Sequence, residues 1–167
     1  MERKKAADIV TVTIIKRPAR KLMLLRSARA SDYFSYCEEM GCDWERILNN
    51  ITEKFDSAAI LTLPDKLIKA GTSAIAAGIE LPADYSGNLP EKYEIIELPA
   101  CEAFYFQGKP YEDKEEFVRA IEVVNKAIAD YKPEIFGYKF EDDSIPAFNF
   151  GASPEKGARI MKPVRAL

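Results

Sequence analysis

The chain has 167 residues, 47% of them apolar and 31% charged, with a net charge of −3 and no histidine. That length suits one compact domain burying roughly 70% of its unfolded surface, and the composition is not that of a disordered chain. The absence of imidazole excludes Ser-His-Asp and Cys-His catalysis and histidine-ligated metals. A mildly acidic chain also has no field to attract a phosphate backbone, so no direct nucleic-acid partner is expected.

The cysteines, Cys37, Cys42 and Cys101, form no C-x-x-C pair, which argues against a disulfide framework or a structural zinc site. Cys37 and Cys42 read as small buried hydrophobes. No apolar stretch approaches the ~20 residues of a membrane span. No signal-peptide h-region follows Met1-Glu2-Arg3-Lys4-Lys5, so a cytoplasmic protein with no membrane partner is expected.

In chain order, Val12 to Ala19 reads as a strand broken at Pro18-Ala19, followed by a second stretch, Leu22 to Leu25. A proline without its N–H suits an edge or a bulge. Tyr33, Tyr36, Cys37, Met40, Trp44, Ile47, Leu48 and Ile51 then keep a helical stripe, with Ser31 or Asp32 as N-cap. Gly41 predicts a kink or a split in that helix. Strands follow over Ala58 to Leu63 and Thr72 to Leu81, ending at Pro82, and residues 82–90 form a polar, turn-rich linker.

The second half repeats the plan. Tyr93 to Ala100 breaks at Pro99-Ala100, and Ala103 to Phe106 continues the strand. Phe117, Ala120, Ile121, Val124, Ala127, Ile128 and Tyr131 mark a helix that Pro133 ends. Strands are expected over 135–140, 148–150 and 158–161, closing at Pro163. The interval from Pro18 to Pro99 equals that from Pro82 to Pro163, as an internal duplication requires. The expected fold is therefore α+β: duplicated β-α-β-β units, repeat 1 over about 9–85 and repeat 2 over about 91–167, within a single domain. Their antiparallel sheet carries the helices on one face. The other face, where the halves meet at a pseudo-two-fold, is expected to hold a ligand cleft.

Tyr33-Phe34-Ser35-Tyr36-Cys37-Glu38-Glu39-Met40-Gly41-Cys42-Asp43-Trp44 is the most distinctive segment. With Leu63-Pro64, Lys69 to Ser73, Gly78 to Tyr85, Phe106-Gln107-Gly108 and Lys162 to Arg165, it resembles the GyrI-like small-molecule-binding family. That family supplies effector-binding domains to AraC- and MerR-type bacterial transcription regulators. The resemblance implies an aromatic-lined pocket for hydrophobic, often cationic molecules, in which a buried carboxylate and aromatic faces meet the charge. It also implies, for some members, hydrolysis of cyclopropane-bearing toxins. Both repeats fill the chain, leaving no room for a helix-turn-helix, so a stand-alone binding domain is expected. The sequence departs from the pattern at the closing strand: Ile160, or Arg159 in the other alignment, stands where the family has its acid. Ala77 likewise replaces a glutamine.

The candidate ligand-binding residues are Tyr36, Trp44, Glu80, Tyr105, Gln107, Tyr138 and Phe148. Glu80 is the carboxylate candidate, on a strand face shared with the small Ala74, Ala76 and Gly78. Tyr36 and Trp44 would form one aromatic wall and Tyr105 with Gln107 a polar-tipped one, with Tyr138, Phe148 and Phe150 completing a cage. No catalytic residue, metal or cofactor is assigned. The expected partner is a hydrophobic small molecule, with a regulator protein as a second; the oligomeric state is open. A binding or sensing module, a hydrolase using Glu80 with Tyr105 or Tyr36, and a protein-interaction domain are the readings that follow.

Overall fold

The structure, a computed structural model, describes residues 9–167. The charged start, Met1 to Lys5, lies outside the described residues. The strands are β1 (Val10–Arg17), β2 (Arg20–Arg26), β3 (Ala59–Thr62), β4 (Ile75–Pro82), β5 (Glu94–Leu98), β6 (Cys101–Gly108), β7 (Tyr138–Phe140), β8 (Ala147–Ser153) and β9 (Gly157–Ala166). The helices are α1 (Tyr33–Met40), α2 (Asp43–Asn49) and α3 (Phe117–Asp130). Among the described residues no helix is long and apolar enough to cross a membrane.

All strand pairs are antiparallel, in one sheet of order β1-β6-β9-β8-β3-β4-β2-β5, with β7 added beside β9. The fold is α+β, as the sequence predicts. The order reads as a palindrome about the β8–β3 seam, and the register of the exchanged strands β1 and β5 follows it. Arg20 faces Leu98 where Cys101 faces Arg17. Inside each half it does not: Leu22 faces Glu80, whereas Ala103 faces Pro163 and Met161 faces Tyr105.

The Pro-Ala breaks turn out to be crossings rather than bulges. β1 and β2 do not pair with each other: β1 pairs with β6, and β2 pairs with β4 and β5. Each half therefore lends its first strand to the edge of the other half's sheet. A proline costs no ladder bond at such a crossing, because the chain leaves one ladder before joining the next.

The long first-half helix splits at Gly41, whose φ of 79° lies in the region that glycine adopts freely. Asp32 caps α1: its carboxylate accepts the Ser35 N–H at 2.8 Å, and Ser35 Oγ accepts the Asp32 N–H. Cys37, inside α1, is half-buried, and Cys42, beside the Gly41 break, is exposed, against the expectation of burial. In the second half the expected strand over 135–140 shrinks to β7. Pro133–Phe136 form a 3-10 turn closed by Gly137 at φ 84°, and Ile135 and Phe136 are exposed. Pro163 does not end β9, which runs to Ala166. It sits where β8 gives way to β7 as neighbour, and its carbonyl accepts the Glu141 N–H.

Helices cover one face of the sheet. Tyr36, Trp44 and Leu48 pack on Met23, Ile60, Ala77, Ile79 and Leu81. Val124 of α3 packs with Phe104, Phe106, Ile160 and Val164. The other face is not open. The sheet curls until Leu22, Leu24, Leu61, Ala76, Leu98, Ala103, Phe148 and Met161 form a core on its concave side. The small residues of β4 make this possible. A Cβ at Gly78 would lie 2.8 Å from Leu61 Cδ1 and 3.3 Å from Leu22 Cδ1, so long aliphatic side chains fill the space there. Among the described residues the cleft opens on the helix side of the sheet and not on that face.

Candidate functional site

Cross-strand partners Ile60, Asn149 and Ile160 share a row on the helix side, across the seam between the halves. They floor a cleft whose walls are α1 and α2 on one side and α3 on the other. The cleft has two lobes that share Tyr33, Ile60 and Asn149. An aromatic lobe of about 390 Å³ is walled by Tyr33, Trp44, Phe117 and Phe150. An acidic lobe of about 410 Å³ is bordered by Asp32, Glu141 and Asp142, with Ile128, Ile145 and Phe148 beneath.

β3 and β8 pair only over Ile60–Thr62 and Ala147–Asn149, and a bulge follows between Asn149 and Ala152. Beyond these bonds the strands part. The aromatic lobe occupies this opening, between Ser57-Ala58 and Phe150 to Ser153, and reaches Arg159 on the concave-side row of β9. Trp44 sits edge-on to Tyr36 and Tyr33, with ring centres 5.9 and 6.4 Å away. Its Nε1–H is buried and, among the described residues, has no acceptor. Phe34 reaches across to Phe117, linking α1 to α3 over the cleft, with ring centres 6.2 Å apart.

Behind this opening, charges alternate in a buried chain. Arg20 Nε donates to Glu80 at 2.6 Å, and Arg17 Nε lies 3.2 Å from both Glu80 oxygens. Arg17 Nη2 is 3.5 Å from Asp56, which also accepts from Arg159 Nη1 at 2.9 Å. Tyr105 donates its hydroxyl to Asp56 at 2.8 Å, and Arg159 Nη2 donates to Ser57. Burial and the Asp56 carboxylate push the Tyr105 phenol up to about 12. The Arg20 guanidinium also donates to the carbonyls of Pro18 and Pro99, stapling the two crossings together.

The predicted residues divide on this geometry. Trp44 lines the aromatic lobe and Phe148 borders the acidic one. Tyr36 lies beneath Trp44, fully buried, and donates its hydroxyl to Leu25. Glu80 is 1% exposed and faces the concave side, because strand alternation sets it opposite Ile79 and Leu81. Tyr105 is one layer behind the cleft, stacked on Phe150 at 5.6 Å. Gln107 donates to the Lys156 carbonyl at the β8–β9 turn, so it positions a cleft residue without lining the cleft. Tyr138 lies across α3's core, against Phe104 and bonded to Glu102.

Sequence reasoning did not select Tyr33, Asn149, Phe117 or Arg159. Ile160 and Arg159 were marked only as departures from a pattern, yet both line the cleft. Among the described residues, no group of cysteines and carboxylates is placed to hold a metal ion.

No family model matches the sequence, and no curated protein matches it. Solved structures do share its fold. The EcmrR C-terminal domain superposes with a TM-score of 0.53 at 16% identity, over 95% of this chain and 99% of that one. SAV2435 bound to tetraphenylphosphonium gives 0.55 at 15% identity, over 93% and 94%. In the EcmrR–DNA complex, EcmrR matches 99% of this chain with a TM-score of 0.51 and 14% identity, while this chain spans 62% of its length. At these identities the likeness is one of fold.

Proposed function

We propose that this protein is a GyrI-like, stand-alone small-molecule-binding or sensing module, built of repeats over about 9–85 and 91–167. Its ligand is a hydrophobic, aromatic molecule held in the cleft between the repeats. The carrying observation is the Trp44 indole: a buried N–H without a partner, on the wall of a cavity large enough for such a ligand. A buried donor left unpaired costs about 1–3 kcal/mol, which an acceptor on a ligand would recover.

The fold likeness supports the reading: SAV2435 carries tetraphenylphosphonium, and the EcmrR domain belongs to a protein solved on DNA. A bound ligand would be reported to a separate regulator protein. The hydrolase reading lacks a comparable observation, since Glu80 is paired with two arginines on the opposite face and Tyr105 bonds Asp56.

A panel of neutral, cationic and anionic aromatic compounds tests the proposal, read by thermal shift and by quenching of Trp44. Saturable binding that Ile60→Trp blocks by filling the floor is the expected result. Failure of every compound to bind would refute it.

A further inference from the structure

We infer that the aromatic lobe selects aromatic anions, of which an aromatic carboxylate is the simplest, over lipophilic cations; the inference rests on the cleft being a ligand site. The floor carries no carboxylate: the row across the seam is Ile60, Asn149 and Ile160. The charge that faces the lobe from within is the Arg159 guanidinium, whose side chain is 14% exposed and lies over the Phe150 ring at 5.4 Å.

Arg159 is not spent by its protein partners. Its Nη1 donates to Asp56 and Tyr105, and its Nη2 to Ser57. A guanidinium has five N–H donors, so Nε–H and one Nη2 hydrogen take no partner among the described residues. Nor is its charge cancelled. The buried chain Arg20, Glu80, Arg17, Asp56, Arg159 alternates in sign and both begins and ends on arginine, which leaves one positive charge in excess.

The acids around the cleft do not reverse this. Glu45 and Glu155 stand exposed at the rim of the aromatic lobe, beside Lys156, where water and salt screen them. In the other lobe Asp142 is exposed, and Asp32 is exposed and occupied with its helix cap. Glu141 accepts the backbone N–H groups of Asp143 and Ser144 and pairs with Arg165. The Trp44 indole adds a second unfilled donor, and indole and guanidinium can only donate. Two donors, one of them charged, beside aromatic faces match a carboxylate on a flat ring.

The test compares 2-naphthoate with 2-naphthylmethylammonium, which share ring and size and differ in charge. Binding to the wild-type protein is measured by calorimetry, and the lone indole N–H is followed by ¹H–¹⁵N correlation. The expected result is a Kd for naphthoate at least about tenfold lower, with the indole proton moving downfield on saturation. Arg159→Met should bring naphthoate down to the level of the ammonium. Because that variant also loosens Asp56, the wild-type comparison decides the matter without it. Equal or tighter binding of the ammonium would overturn the anion preference while leaving the cleft a ligand site. Naphthoate binding with an unmoved indole signal would overturn the role given to Trp44. Binding by neither probe, nor by any compound of the panel, would overturn both readings.

Discussion

Replacing Glu80 by glutamine should be among the most damaging conservative changes in this protein. Its carboxylate is 1% exposed and takes hydrogen bonds from Arg20, itself fully buried, and Arg17, whose side chain is 15% exposed. Glutamine keeps the shape and removes the charge, stranding the Arg20 guanidinium, which water cannot reach. Breaking a buried pair from one side costs about 3–5 kcal/mol. At this chain length that lowers Tm by roughly 6–20 °C. Urea unfolding followed by Trp44 fluorescence, with calorimetry for Tm, measures both. The counterpart positions in the second half supply the complementary experiment. Leu98, Cys101 and Met161 stand at the same 81-residue interval from Arg17, Arg20 and Glu80 that separates the prolines of the two repeats. The triple variant Arg17→Leu, Arg20→Cys, Glu80→Met should therefore recover most of the loss, since removing all partners together strands fewer charges. A cost below about 1 kcal/mol for Glu80→Gln, the level of a surface pair, would refute the reasoning.

Burial and neighbouring charge hold the phenols of Tyr33 and Tyr105 up at about 12, above the ordinary value of 10.0. A raised folded-state pKa gives stability that is complete below pH ~10 and lost as pH rises towards 12, because the unfolded chain gives up those protons first. Ultraviolet titration compared with the Tyr33→Phe and Tyr105→Phe variants should show these two tyrosines ionising late, and Tyr105→Phe should flatten the alkaline decline; a signal near pH 10 that either variant removes would contradict this. Gly157 has φ 72°, and an added Cβ would run into the Gly108 carbonyl, whereas at Gly71, with φ 81°, it would meet nothing within 4 Å. Gly71→Ala should cost about 1 kcal/mol and Gly157→Ala clearly more in the same melting assay, and equal costs would show that the backbone contact is unimportant. Phe148→Ala, at a side chain 1% exposed in the concave core, should cost about 3–5 kcal/mol by urea unfolding.

The elements were readable where local patterns settle them. The Pro-Ala breaks, the helix stripe with its Gly41 interruption and the proline-ended α3 all appear close to the expected places. The face of the sheet that carries the cleft was not readable. Small side chains at Ala76 and Gly78 suggest room for a ligand when β4 is considered alone. Only the curl of the sheet, set by pairing between distant strands, brings Leu22 and Leu61 into that room. Glu80 shows the same gap: alternation gives its side of the strand, but its arginine partners come from β1 and β2, more than fifty residues away. The two positions that depart from the pattern, Arg159 and Ile160, both line the cleft.

The exchanged first strands have a further consequence. Two separate, identical copies arranged this way would have to present every side chain twice, on both sides of the seam. Held in one polypeptide, the halves are free to differ at matching places of the repeat, and they do: ions at Arg17, Arg20 and Glu80, and a leucine, a cysteine and a methionine 81 residues on. The cleft on the seam is correspondingly handed, with Trp44 contributed by one half and Arg159 by the other. A lopsided molecule, with a distinct head and tail, can then dock in a single orientation where a symmetric pair would offer it two equivalent ones.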